Sequence, residues 1–255
     1  MLTTVVRLNP AQNRLLSDLP RGELEKLLPL LQPVALSLGQ VMFETNQCIS
    51  CGYFLTDSIV SLLYTTEDGA TAEAALVGND GIVGTAIFLG GDSTCSRAVV
   101  AVAGHALRIA AADLLEEFER NSFLQHILLR YTQALITQIS QTAVCNRLHS
   151  VERRLCRHLL LCQDRTGSSE LLMTQELIAH MLGGRRESVT VAAGHLQDLG
   201  LIHYCRGRIT ILNRKGLEAN ACECYRMVED ELTRLSYAKR KLQISPTSPA
   251  VEQAG

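Results

Sequence analysis

The segment from Thr174 to Gly207, TQELIAHMLGGRRESVTVAAGHLQDLGLIHYCRG, constrains this chain more than any other. Thr174 is an N-cap candidate, because its hydroxyl can accept from an orphan amide of a first helical turn. Gln175 and Glu176 then lie at the positive end of the helix dipole. Leu177, Ile178, Met181 and Leu182 follow at helical spacing. Gly183 and Gly184 break the run, and glycine accepts the positive φ of a tight turn between helices. A second helix starts near Arg185 and Arg186, with Val189, Ala192, Ala193 and Leu196 as its apolar face. From Leu199 to Leu212 the pattern is strand, glycine turn at Arg206-Gly207-Arg208, and strand. Helix, turn, basic-led helix and hairpin together suit a narrow helix entering the major groove of DNA.

Residue chemistry ranks the contacts. Arg186 can pair bidentately with guanine and Glu187 can accept from cytosine. Arg185, Ser188 and Thr190 can reach bases or phosphates. Thr174 and Gln175 open the supporting helix and can donate to a phosphate, and Arg206 and Arg208 at the hairpin tip can meet phosphates.

From about Asn146 to Tyr225 the chain resembles the winged-helix domain of the cyclic-AMP receptor protein/FNR (Crp/Fnr) family of bacterial transcription regulators. The resemblance is carried by VERRLCRHLLL, LLMTQELIAHMLGGRRESVT, LQDLGLIHYCRGRITILNRKGLE and the later ECY. Family members place an arginine and a glutamate at the start of the recognition helix, which Arg186 and Glu187 match. A further arginine that often follows about a turn later aligns with Val191. The resemblance implies a homodimer on a double-stranded DNA operator, RNA polymerase as a partner, and control by a small-molecule effector.

The expected fold class is α+β: a cyclic-nucleotide-binding-like β-barrel (jelly roll), a long dimerisation helix and a C-terminal winged helix-turn-helix. The expected domains are 1–120, 121–148 and 149–225, with 226–255 as a further helix and a disordered, Pro/Ser-rich tail from Ser245. Lys239-Arg240-Lys241 near that helix's end can attract phosphate. From Val34 to Ile109, short apolar runs alternate with turn signals such as Glu67-Asp68-Gly69 and Asn79-Asp80-Gly81, as a barrel or jelly roll requires. Pro20 to Leu31 reads as a helical preface interrupted by Pro29. The first 145 residues carry 8 basic and 14 acidic side chains, whereas residues 146–244 carry 16 and 11. A basic half beside an acidic one fits a nucleic-acid reader joined to a sensing domain.

Gly78 to Ala86 and Ser96-Arg97-Ala98 resemble the phosphate-binding cassette of cyclic-nucleotide domains, with Arg97 matching the phosphate-pairing arginine. The glutamate that holds the ribose hydroxyl in cyclic-AMP binders is replaced by Thr85 after Gly84, and Ala98 stands where a hydroxyl often contacts phosphate. Gly84, Thr85, Arg97 and Ala98 are therefore the effector-pocket candidates, with Ser140 reaching a ligand across the dimer. The effector expected is something other than cyclic AMP, or none. A cyclic-nucleotide-responsive regulator is one alternative.

Between Phe123 and Leu148 there is no Pro or Gly, and Leu124, Leu128, Tyr131, Leu135, Gln138, Thr142 and Cys145 form a heptad seam. Such a seam suits a parallel dimer interface or packing on the chain's own barrel. A second alternative is a metal- or redox-sensing regulator using Cys48 and Cys51, whose CxxC spacing can work with Cys95 or a histidine. FNR-type members hold an iron–sulfur cluster with cysteines near the N-terminus, but none precedes Cys48 here. Cys222-Glu-Cys224 has CxC spacing, while Cys156, Cys162 and Cys205 read as small core residues. The seven histidines make no HxxxH or HExxH pattern and read as surface or packing residues. No cofactor or bound metal is expected.

There is no GxxxxGK[ST] loop, nucleophile elbow or glycine-flanked carboxylate pair, so an enzyme is not expected. Trp is absent and aromatics make up 4%, which disfavours stacking on single strands. No apolar stretch reaches membrane-spanning length and MLTTVVRLNPAQNRLL lacks a secretion signal, so a cytoplasmic location without membrane contact is expected.

Overall fold

The computed structural model describes residues 9–120 and 123–236. The expectations for Lys239-Arg240-Lys241 and for the tail from Ser245 lie outside the described residues. No helix among the described residues is long and apolar enough to cross a membrane.

Asn13 opens α1 (Arg14–Ser17) as a true N-cap, its side-chain oxygen accepting from the amides of Leu15 and Leu16. The preface helix α2 (Arg21–Leu27) gives way at Pro29 to a 3-10 turn. Proline removes the amide that an α-helical bond there would need. The strands that follow are β1 (Gln32–Leu36), β2 (Val41–Phe43), β3 (Cys51–Leu55), β4 (Ile59–Thr65), β5 (Thr71–Val77), β6 (Ile82–Val83), β7 (Arg97–Val102) and β8 (Gly104–Ala110). They form two antiparallel sheets, ordered β1-β8-β3-β6 and β2-β7-β4-β5. Alternating side chains of both sheets, among them Phe43, Phe54, Val60, Val100, Leu107 and Ile109, share one core.

After α3 (Ala111–Glu119) comes the long helix α4 (Phe123–Leu148). The predicted seam is buried, but against its own chain. Leu124, Leu128, Tyr131 and Leu135 join the barrel core, and the Gln138 side-chain amide donates to the Leu76 carbonyl at 2.9 Å. The dimer reading of that seam is corrected accordingly, because every position of it is already covered. A second 3–4 series, His126, Leu129, Gln133, Ile136, Ser140, Ala143 and Arg147, runs along the exposed side of α4. Leu129 and Ile136 are 47% and 59% exposed there.

The C-terminal part runs α5 (Val151–Thr166), β9 (Glu170–Leu172), α6 (Gln175–Met181), α7 (Arg186–Asp198), β10 (Ile202–Cys205), β11 (Arg208–Ile211), α8 (Arg214–Asn220) and α9 (Cys224–Leu235). Three strands, ordered β10-β11-β9, make the wing. Leu155, Leu159, Ile178, Val189, Leu196 and Ile209 fill its core, which also takes in Ile59, Leu76 and Ala101 from the barrel. Truncating one such leucine to alanine costs about 2–5 kcal/mol.

Polar groups lock this apolar seam. Arg165 of α5 is 1% exposed. Its Nε donates to Asp80 Oδ1 at 3.1 Å, and its Nη2 lies 2.8 Å from Asp80 Oδ2 and donates to Gln138 Oε1 at 3.0 Å. One guanidinium thus ties α5 to α4 and to the β5–β6 turn. A Cβ at Gly78 of that turn would fall 2.5 Å from Arg165 Cβ, so the close approach requires glycine. Beside it, Glu73 of β5 and His158 of α5 are buried 3.6 Å apart. Burial pushes the Glu73 carboxyl up to about 8, against the pull of Ser61, Arg157 and Arg165. Burial likewise drives the His158 imidazole down to about 3, helped by Arg157 and Arg165. Near neutral pH the contact therefore joins an acid and an imidazole that are both neutral, and is not an ion pair.

Candidate nucleic-acid interface

The reading head is built from local signals. The Thr174 hydroxyl accepts from Leu177 N at 3.1 Å and caps α6, a bond worth about 1 kcal/mol. At the other end of α6, Arg154 Nη1 donates to the Leu182 carbonyl at 2.7 Å, satisfying a helix-end acceptor from below. Gly183 then takes a φ of 56°, and the chain turns into α7 with Arg185 at the N-cap. Arg185 has no acceptor with which to cap the helix, and its side chain is exposed.

Val189, Ala192, Ala193 and Leu196 of α7 are buried, as their spacing predicts. Arg185, Arg186, Glu187, Ser188 and Thr190 are all exposed. Val191 is 73% exposed, an apolar side chain on the outer face. Thr190 Oγ1 has acceptors at 3.0 Å in both Gln175 Oε1 and Arg186 O, so it links α6 to α7. Its hydroxyl is therefore partly committed within the chain.

The wing closes on the same surface. Arg206 and Gly207 have φ of 48° and 77°, as the primed two-residue turn between right-twisted strands requires. Gln197 Oε1 accepts from Tyr204 N at 2.8 Å, and Gly207 O accepts from Met173 N at 2.8 Å. These bonds hold the hairpin against α7 and against the segment entering α6. Arg206 is exposed. Arg208 pairs with Glu170 at 2.8 Å, both more than half exposed, which makes the pair weak and exchangeable. The cap of α6, the first turn of α7 and the wing are thus tied together, and the amides of a helix N-terminus such as that of α7 favour anions.

Residues 153–220 match the model of the Crp-like helix-turn-helix domain. FixK2 from Bradyrhizobium japonicum superposes with a TM-score of 0.64 at 15% identity, over 75% of this chain and 98% of that one. The CLP regulator of Xanthomonas campestris, described as c-di-GMP responsive, gives 0.60 at 15% identity over 75% and 99%. A CRP-family transcriptional regulator from Thermus thermophilus gives 0.61 at 18% identity over 74% and 96%. Residues 153–220 are thus of the Crp-like helix-turn-helix type. At these identities the solved structures establish the fold, and the domain model establishes a Crp-like helix-turn-helix over residues 153–220. No curated protein matches by sequence.

In the barrel the effector-pocket candidates separate. Gly84, with φ of 106°, and Thr85 line a cavity of about 310 Å³ between the β-sheets and α4. Phe43, Leu62, Ile82, Leu135 and Ile139 supply apolar wall, and Thr85, Thr94 and Ser96 supply hydroxyls. No charged side chain lines it among the described residues. Arg97 lies outside, its Nε 2.9 Å from the Glu44 carboxylate, and Ala98 is fully buried in the core. Ser140 is exposed on the outer stripe of α4, away from the cavity wall. Within the single chain, Gly84 and Thr85 line the cavity and Arg97 and Ala98 do not, while the reach of Ser140 across a dimer concerns a second copy.

The cysteine expectations also divide. Cys48 is exposed and Cys51 half-buried, and neither joins a group of three metal-ligating side chains among the described residues. Cys156 and Cys162 are buried as expected, but Cys205 is exposed because it faces outward at the end of β10.

Proposed function

We propose that the chain acts as a homodimeric, sequence-specific DNA-binding transcription regulator. The observation that carries this reading is the exposed first turn of α7, held on one surface with the α6 cap and the wing tip. Arg186 and Glu187 read base edges, and Arg185 and Ser188 reach bases or phosphates. Thr174, Gln175, Arg206 and Arg208 fix register on the phosphates. Thr190 braces α6 against α7 and is secondary as a contact. Val191 offers methyl groups to a thymine, where an arginine would select guanine. Arg186→Ala tests this: discrimination at one base pair should blur, with loss concentrated on the specific operator. Equal loss on random DNA would make Arg186 a phosphate contact only.

Two copies pair through the outer stripe of α4, which presents Leu129 and Ile136 to solvent in this single chain. Ile136→Asp should yield a folded monomer by light scattering, whereas Leu135→Asp, in the barrel core, should unfold the chain. A folded Ile136→Asp variant that remained dimeric would exclude this face. RNA polymerase is the further partner implied by the Crp/Fnr resemblance, and the cytoplasm is the corresponding location. The effector, where one acts, is an uncharged and largely apolar small molecule, because the barrel cavity has apolar walls, hydroxyls and no cation. Cyclic AMP up to millimolar concentration should leave the melting temperature and DNA affinity unchanged. A saturable shift would refute this view of the cavity.

A further inference from the structure

Where α4 ends and α9 begins, four side chains converge that the DNA-reading surface does not use. The last turn of α4 continues to His149, whose amide donates to the Cys145 carbonyl at 3.0 Å. Cys145 and His149, four residues apart, therefore share a face. Cys222 comes from the link between α8 and α9, and Cys224 opens α9. The Sγ and imidazole nitrogen atoms of Cys145, His149, Cys222 and Cys224 all lie within 4.8 Å of one another.

Two of these separations are 3.5 Å: Cys145 Sγ to Cys222 Sγ, and Cys224 Sγ to His149 Nδ1. Tetrahedral zinc, with Zn–S of about 2.3 Å and Zn–N of about 2.0 Å, spaces its donors roughly 3.5–3.8 Å apart. Ordinary packing of small apolar thiols does not account for the arrangement. The three cysteines form a buried cluster of their own, separate from both aliphatic cores. His149 presents one nitrogen to each side, Nδ1 to Cys224 and Nε2 to Glu223 Oε1 at 3.3 Å. A carboxylate behind a ligating imidazole fixes its tautomer and raises its basicity. Gln141 Nε2 also donates to Cys224 Sγ at 3.1 Å, the outer bond that a coordinated thiolate accepts. All three thiols are buried, and a closed set of four donors is a structural or regulatory set that leaves no position for a substrate.

We propose that Cys145, His149, Cys222 and Cys224 bind one zinc(II) ion that clamps the α4–α5 hinge to the start of α9. On binding, each of the three thiols releases a proton and the imidazole enters neutral through Nδ1. Three thiolates around a dication leave a net charge of minus one. Arg157, bonded through Nη2 to Thr142 one turn before Cys145, supplies positive charge beside it. His149 is itself a hinge residue between α4 and α5, so coordination immobilises the joint on which the reading head is carried.

The test uses the full chain under reducing conditions, titrated with zinc against a chromophoric chelator. Wild-type protein should take up one zinc per chain, and the Cys48→Ser/Cys51→Ser variant should do the same. Cobalt(II) in place of zinc should give the visible bands of a tetrahedral thiolate site. Cys222→Ser should abolish both signals. Glu223→Gln leaves all four ligands in place and should weaken zinc binding by about 10–100-fold with an unchanged circular dichroism spectrum. Zinc should also slow amide hydrogen exchange at residues 147–151. The proposal is overturned if reduced wild-type protein takes up no zinc and forms a Cys145–Cys222 disulfide in air instead. Retention of zinc by Cys222→Ser, its loss from the Cys48/Cys51 variant, or an unaffected hinge would also overturn it.

Discussion

The C-terminal domain uses arginine in two opposite ways. In the seam against the barrel, Arg165 is 1% exposed and its nitrogens meet Asp80, Gln138 and the Leu161 carbonyl. At the tip of α7, Arg185 and Arg186 are exposed and have no ion-pair partner among the described residues. A guanidinium taken out of water must have its acceptors supplied by the fold, and its charge is then spent on holding the fold together. A guanidinium left in water keeps its charge and its donors for an acceptor outside the chain. The contrast separates the arginine that fixes the helix-turn-helix on the barrel from those that the proposed function assigns to DNA.

The largest effect that would sharpen this contrast is Arg165→Ala. It leaves the Asp80 carboxylate buried without its partner, so denaturation should show a loss of about 3–5 kcal/mol. Arg186→Ala should change stability by less than about 0.5 kcal/mol. It should nevertheless weaken operator binding by about 1–3 kcal/mol in a salt-controlled titration. If the two variants destabilised the chain equally, the division between placing and reading arginines would fail.

The neutral pair in the seam makes a pH prediction. The Glu73 carboxyl stands at about 8 in the folded chain against an ordinary 4.5. Its stabilisation is complete below about pH 4.5 and is lost as pH rises towards 8. The His158 imidazole stands at about 3 against 6.5, so its share is complete above about pH 6.5 and is lost as pH falls towards 3. The two slopes oppose each other between 4.5 and 6.5, giving a plateau with a decline on either side. From pH 6.5 to 8 the loss should be about 2 kcal/mol, at roughly 1.4 kcal/mol per pH unit. Glu73→Gln should flatten that alkaline limb in chemical denaturation, and an unchanged limb would show that Glu73 is not its source. The smallest effect belongs to Arg208→Ala, which breaks an exposed pair with Glu170 and should cost at most about 1 kcal/mol of stability.

The reading head was legible because its signals are local. The Thr174 cap, the glycine turn and the apolar face of α7 are short-range consequences of residue type and spacing. The strand β9 was missed because three residues before a helix carry too little periodicity to register. The long helix shows the limit of periodicity. Spacing identified Leu124, Leu128, Tyr131, Leu135 and Gln138 as one face, but could not say whether a second chain or the barrel would cover it. In the effector region, Arg97 was singled out by its neighbours in sequence, and only the sheet geometry shows it turned towards Glu44 and off the cavity wall. The cysteine–histidine group left a trace as well. Cys145 and His149 are four apart, and Cys222 and Cys224 two apart, but a CxxxH step and a CxC step far apart in the chain carry no local sign that they meet.

Residue order alone settled the helix-turn-helix, the wing turn and the basic character of their shared surface, because caps, turns and amphipathic faces act over a few residues. Tertiary structure decided which face of α4 packs on the barrel, which arginines are consumed in the seam, and that four ligand side chains from two distant segments meet where α4 ends and α9 begins. Those outcomes depend on which surfaces exclude water from each other, and that is a property of the packed chain and not of any short stretch of it.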